Sequence, residues 1–206
     1  VQLALVAVFH VVAADAALLA LDHHGAAGRC RGLGAGAFAR AGRIGRAVAL
    51  RAHAFGMKII YTARTRHLDF EQAPLAARRV ELDEGLAHAD VVSVHTPLTP
   101  DTRHVINARR LSLMKPTSIL INTSRGPTVD EAALTEMLIH KRLWGAGLDV
   151  FEHEPRVHPA LLKLDNVVLA PHIGSGERYW REEMTRLCCD NARAMLEGRT
   201  PPNFVS

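Results

Sequence analysis

Three short stretches place chemistry-bearing residues directly after apolar, β-branched runs. SILINTSRG carries Arg125, GLDVFEHEP carries Asp149 and Glu154, and NVVLAPHIGS carries His172. A guanidinium grips an anionic group with a planar fork of donors that lysine cannot copy. An imidazole gives up or takes a proton near neutral pH. A carboxylate bonded to that imidazole orients it and favours its protonated form. Taken singly, each has a plain structural explanation: Arg125 as a helix-end ion pair, Glu154 as a solvated loop acid, His172 as a structural ring. Met together at three successive strand ends, they read as a site for anion binding and proton transfer.

Three earlier loops suggest what else binds there. GRIG at 42–45 precedes a strong helical pattern, so the N–H groups of Arg43 and Ile44 can face a pyrophosphate. Gly42 then permits close approach, and Gly45 lets the helix pack on the strand. The same residues also suit an ordinary small-residue turn. In YTARTR, Ala63 stands where a carboxylate for the ribose 2′-OH is expected, about 20 residues beyond the glycines. Arg64 and Arg66 follow it, a pair suited to a 2′-phosphate, so NADP is read over NAD; two solvated surface arginines are the alternative. HTPLTPDTRHVI is stiffened by two prolines and should run over the top of the sheet, with Pro97 and Leu98 able to wall a nicotinamide ring. His95, at a strand end, reads as a structural histidine or as part of the site.

The elements that must position these loops form one alternating pattern. KIIYT (58–62), VVSVH (91–95), SILINT (118–123), AGLDVF (146–151) and NVVLA (166–170) read as strands, with AGAFA (35–39) a weaker candidate before them. AGLDVF puts Asp149 on a strand. Helical periodicity covers RIGRAVALRAHAF, LDEGLAHA, DEAALTEMLIHKR and ERYWREEMTRLCCDNARAMLEG; the third has Asp130 at its start and basic residues in its last turn. Right-handed crossovers then give an α/β, doubly wound parallel sheet whose ligands bind beyond the carboxyl ends of the strands.

Bulk properties agree. The chain has 206 residues, 48% hydrophobic and 22% charged, enough for one full core plus an appendage. Its formal charge of +4 is spread without a block of like charges, favouring a small anionic ligand and no nucleic acid. Cys30, Cys188 and Cys189 form no CxxC pair, which fits a reducing cytoplasm. The apolar stretch 1–21 is broken by His10 and Asp15 and reads as a buried helix, with no membrane span. His153, Glu154 and His158 lack a helical i, i+4 ligand pair, so no metal is expected. Trp144 and Trp180 read as packing or interface residues and Met57 as core.

HTPLTPDT, INTSRG, GLDVFEHEP and APHIGS, in this order and spacing, resemble the D-2-hydroxyacid dehydrogenases, in particular their glyoxylate and hydroxypyruvate reductases; the likeness covers about Gly42 to Val205. The resemblance implies a Rossmann-type cofactor domain and reduction of a small 2-oxoacid. It implies Arg125, Glu154 and His172 as the catalytic set and Asp149 beside the nicotinamide carboxamide. YTARTR is similar to the NADP-preferring members. The expected cofactor-binding set is Gly42, Arg43, Ile44, Gly45, Arg64, Arg66, His95, Thr96, Pro97, Thr102, Thr123, Ser124, Asp149, His172 and Ser175. A homodimer through this domain is likewise implied.

The sequence also departs from that family. Arg40 stands where the first glycine of GLGRIG is expected, and GLG at 32–34 lies eight residues too early to replace it. The first 42 residues use only ten residue types and include 13 alanines, which suggests a coding frame disrupted upstream of about residue 42, or drift. The expected division is an aberrant N-terminal segment (1–34), a dinucleotide-binding domain (35–176), and a helix and tail (177–206) returning toward a substrate domain that is mostly missing. A dinucleotide-binding or dimerising module without turnover is the competing function.

Overall fold

A computed structural model of the chain describes residues 36–39 and 42–204. The expectations for 1–34, for GLG at 32–34 and for Arg40 lie outside the described residues. In chain order the elements are β1 (Gly36–Ala39), α1 (Arg43–Ala54), β2 (Ile59–Thr62), α2 (Leu68–Glu71), β3 (Arg78–Arg79), α3 (Leu82–His88), β4 (Val91–Val94), α4 (Ala108–Leu111), β5 (Ile119–Asn122), α5 (Glu131–Ile139), β6 (Gly145–Leu148), β7 (Val167–Leu169) and α6 (Arg178–Leu196). Short 3-10 turns at Pro100–Thr102, Gly126–Thr128 and Leu161–Lys163 shape the connections.

Among the described residues all seven strands are parallel, in the order β3-β2-β1-β4-β5-β6-β7. The chain builds outward from β1 to β3, then returns to β1's other side at β4. That reversal opens a crevice above the carboxyl ends of β1 and β4. Side-chain alternation buries both faces of the sheet. Ile59 and Tyr61 of β2 pack with Val48, Ala49 and Ala52 of α1, whereas Ile60 joins Val92, Leu120, Leu138 and Leu148 in the larger cluster. On α1 the buried positions Gly45, Val48, Ala49 and Ala52 recur at helical spacing, giving one apolar stripe. Met57 is in this core.

Several boundaries differ from the sequence expectation. Helix α5 is capped by Asp130, whose carboxylate accepts the Ala133 N–H at 3.0 Å, but it ends at Ile139. Lys141 takes a left-handed φ of +51°, so the expected basic last turn lies beyond the helix. Strand β6 ends at Leu148, so Asp149 sits in the turn after the strand; β7 stops at Leu169 and Pro171 offers no N–H to extend the pairing. The two-residue β3 and the one-turn helices α2 and α4 carry too few residues to show a period.

Candidate active site

Three adjacent strands, β5, β6 and β7, deliver the three groups to one edge. His172 Nδ1 donates to Glu154 Oε2 across 2.8 Å, and the other Glu154 oxygen accepts the Phe151 N–H at 3.0 Å. Because an ionised carboxylate only accepts, Nδ1 carries a proton, leaving Nε2 to exchange one. Burial raises the Glu154 pKa, but the bond from His172, the Phe151 N–H and the positive fields of His172 and Arg125 outweigh it and hold the group below the usual carboxylate range. Arg125 therefore lies within electrostatic reach of Glu154. Its guanidinium is exposed and donates to its neighbour's carbonyl, that of Ser124, at 2.6 Å.

Each loop is held by groups that do not themselves react. After β5, the buried Asn122 accepts from Ser124 N and Oγ (3.1 and 2.9 Å) and donates to the Arg125 carbonyl (3.1 Å). Thr128 Oγ1 donates to the same carbonyl at 2.7 Å. Thr123 is buried beneath this turn. A Cβ on Gly126 would stand 1.9 Å from the Phe151 carbonyl carbon, so only glycine lets the Arg125 loop lie against the Glu154 loop. After β7, His172 adopts a φ of +54°, a conformation that L side chains rarely take. Asp149, 1% exposed, accepts the next two N–H groups, Ile173 at 2.8 Å and Gly174 at 3.1 Å. Burial pushes the Asp149 pKa up against the pull of those two bonds. Ser175 follows, half-buried, its carbonyl accepting from Arg181 at 2.9 Å.

Toward β1 and β4 lie the other expected residues. Gly42 caps α1 with no side-chain bond and no acid in the first turn, and a Cβ on it would meet nothing within 4 Å among the described residues. Arg43 and Ile44 open the helix and Gly45 is buried in it. Past β4, His95 Nε2 is 2.9 Å from Ser93 Oγ, and burial of the ring lowers its pKa to about 4. Thr96 is buried, Pro97 exposed. Thr102 Oγ1 donates to the Pro97 carbonyl at 2.6 Å and accepts the Thr99 N–H at 2.7 Å, so this hydroxyl braces its own loop. The two arginines after β2 part company: Arg64 has no carboxylate partner among the described residues, whereas Arg66 is paired with Glu71.

Residues 36–174 match the family model described as D-isomer specific 2-hydroxyacid dehydrogenase, NAD binding domain. The chain belongs to this family. It is 50% identical over 165 residues to a glyoxylate reductase of Thermococcus litoralis, covering 80% of this chain and 50% of that protein. A glyoxylate/hydroxypyruvate reductase B of Pectobacterium carotovorum is 47% identical over 167 residues, covering 80% and 52%. Among solved structures, a glyoxylate reductase from Paecilomyes thermophila superposes with a TM-score of 0.83 at 35% identity, covering 96% of this chain and 63% of that one. D-lactate dehydrogenase from Aquifex aeolicus, complexed with NAD and lactic acid, gives 0.73 at 34% identity, covering 81% and 54%. The chain spans about half the length of the curated relatives it matches.

The donor set fits the dinucleotide of a 2-hydroxyacid dehydrogenase domain. A helix start whose glycine cap makes no side-chain bond, and whose Cβ position meets nothing within 4 Å among the described residues, suits a phosphate-bearing ligand, and it lies at the crevice beside β4. Among the described residues no group of three or more His, Cys, Asp or Glu is placed to hold a metal ion, and no helix is long and apolar enough to cross a membrane.

A second polar cluster escaped sequence reasoning. Glu152 pairs with Arg103 (2.8 Å) and with His104 Nε2 (2.7 Å), and its N–H donates to the buried Glu131 at 2.8 Å. His104, at φ +48°, donates its own N–H to the Pro127 carbonyl at 2.8 Å, tying this cluster to the Arg125 loop. The density of acids in FEHE was its only trace in the sequence.

Proposed function

We propose that this domain binds NADP(H) in preference to NAD(H) and, within the whole protein, reduces a small 2-oxoacid of the glyoxylate or hydroxypyruvate type. The observation that carries the reading is the 2.8 Å bond between His172 and Glu154, with Arg125 on the loop that leaves the neighbouring strand β5. Arg125 binds the substrate carboxylate and polarises the carbonyl with its fork of donors. His172 gives a proton to the nascent alkoxide from Nε2, while Glu154 fixes the ring and stabilises its charged form. When bound, the nicotinamide supplies the hydride that the carbonyl carbon accepts.

Arg43, Ile44 and Gly45 offer N–H groups to the pyrophosphate, with Gly42 giving room for it. Thr96, Pro97, Thr102, Thr123, Ser124 and Ser175 line its path, and His95, Asp149 and His172 attend the nicotinamide end. The phosphate preference is supported by Ala63 in place of an acid and by Arg64, which no carboxylate pairs among the described residues. The segment 177–206 is assigned to the return toward a substrate domain, the protein to a homodimer, and its location to the cytoplasm.

Spectrophotometric NADPH oxidation with glyoxylate or hydroxypyruvate, run beside a cofactor titration, tests the reading. Arg125→Ala and His172→Ala are each expected to abolish turnover in an active protein while NADPH binding stays measurable; normal steady-state rates in either variant reject the assignment. A second reading, a binding module without turnover, is favoured by the exposure of Arg125 and His172. Cofactor binding without oxidation selects it.

A further inference from the structure

The loop after β2 carries the arginines on which the phosphate preference rests, and both of its ends are tied from within the fold. Arg79 of β3 donates from Nε to the Ala63 carbonyl at 2.9 Å and from Nη2 to the Arg64 carbonyl at 3.3 Å. At the other end the buried Tyr61 accepts the His67 N–H at 2.9 Å and donates its hydroxyl proton to Glu71 Oε1 at 2.7 Å. Glu71 in turn takes the side-on edge of Arg66: Nε lies 3.2 and 3.1 Å from its two oxygens, and Nη2 bonds Oε2. The Arg66 side chain is 71% exposed and that of Glu71 16%, so the carboxylate sits behind and the guanidinium in front. Nη1 has no partner among the described residues. The bonds from Arg66 and Tyr61 hold the Glu71 carboxyl below its usual range, so it remains a charged anchor.

We propose that Glu71, braced by Tyr61, is a positioning residue for the dinucleotide's 2′-phosphate: it fixes Arg66 by one edge so that the opposite edge is already oriented toward that group. The inference rests on the NADP reading above. An unrestrained arginine loses side-chain freedom when it grips a ligand, and a second-side carboxylate removes part of that loss beforehand. The free end-on edge presents the same paired donors that recognise phosphate elsewhere. Glu71's own charge opposes an incoming anion, but it is paired, lies on the far side of the guanidinium, and acts across screened surface. The pair also walls an open cleft of about 520 Å³ along β3, so Arg66 has room to turn away when the bond is lost.

Equilibrium titrations of the full chain with NADPH, NADH, 2′,5′-ADP and 5′-ADP test this. Glu71→Gln keeps the side-chain length and the Tyr61 contact but removes the charge. It is expected to weaken NADPH and 2′,5′-ADP roughly three- to tenfold while NADH and 5′-ADP stay unchanged. Arg66→Lys, at an exposed position that leaves folding intact, is expected to show the same selective loss. Tighter NADPH binding by Glu71→Gln overturns the inference, because Glu71 then competes with the phosphate. An equal loss for NADPH and NADH overturns it as well, because support is then general to the loop. A wild-type preference for NADPH that Arg64→Ala removes and Glu71→Gln leaves intact overturns the inference alone. A wild-type chain without that preference overturns the NADP reading and this inference together.

Discussion

Asp149 and Ile173 are joined by a 2.8 Å hydrogen bond from the Ile173 N–H to a carboxylate that is 1% exposed, and the adjacent Gly174 N–H reaches the other oxygen. The residue just before Ile173 is His172, whose left-handed backbone carries the ring that meets Glu154. A buried acid on one strand exit thus holds the unfavourable backbone at the next. Asp149→Ala leaves two backbone donors without their acceptor, which costs about 1–3 kcal/mol for a buried group. Thermal unfolding of the variant is expected at lower temperature, with turnover falling more than cofactor affinity. Unchanged stability would separate the two strand exits.

Glu154→Gln keeps an oxygen for the Phe151 N–H but turns an amide NH2 toward His172, so Nδ1 must accept instead of donating and the charged ring loses its carboxylate partner. Turnover is expected to fall about 10- to 100-fold, since orientation and charge stabilisation of the proton donor are both weakened. Steady-state rates against pH distinguish this from a binding defect: kcat falls and its pH profile moves, while the NADPH titration stays as in wild type.

His95 predicts an acid-side loss of stability. Its folded pKa of about 4 lies below the ordinary histidine value of 6.5. Between those values the unfolded chain takes up the proton and the folded chain does not, so stability is fully present above 6.5 and drains as pH falls toward 4. The lowered pKa values of Glu154 and Glu152 add a further loss below the usual carboxylate range. Chemical denaturation at pH 7.5, 6, 5 and 4 reads the slope; His95→Asn is expected to flatten the 6.5 to 4 segment only.

Gly126→Ala would place a methyl carbon 1.9 Å from the Phe151 carbonyl carbon and oxygen and 2.5 Å from the Glu152 nitrogen. Backbone cannot yield as a side chain tip does, so the two loops must separate, at a cost of about 1–3 kcal/mol or more. Urea denaturation should register the loss. A raised KM for the oxoacid is expected to accompany it, because Arg125 moves with its loop.

Much of this was legible in the amino-acid order. The strands at 59–62, 91–94 and 119–122 were visible because buried parallel strands are short, mostly apolar runs, the half-buried 167–169 because it too is such a run, and α1 because its buried residues repeat at helical spacing. Arg125, Glu154 and His172 were visible because each follows such a run within a few residues. The supporting contacts were not. Asn122 looks like any strand-end amide, Glu131 like any acid in a first helical turn, and Glu71 like a solvated partner for a nearby arginine. Their roles depend on long-range packing, such as Glu152 meeting His104 across 48 positions, which no local pattern encodes. The place of Arg66 after a strand, just past Ala63, together with its type, suggests a phosphate ligand, and only geometry reveals that one edge of it is already taken.

Since Arg125, Glu154 and His172 hang one each from β5, β6 and β7, the sheet serves as their ruler. Neighbouring parallel strands keep a spacing of about 4.8 Å whatever joins them at the far end. Crossover segments can therefore lengthen, shorten or change sequence while the three groups stay in step, whereas a slip of a single residue in either strand pairing would carry one group out of reach of the others. Tolerance to change in this domain should accordingly be banded, generous at the amino ends of these strands and strict at their carboxyl ends.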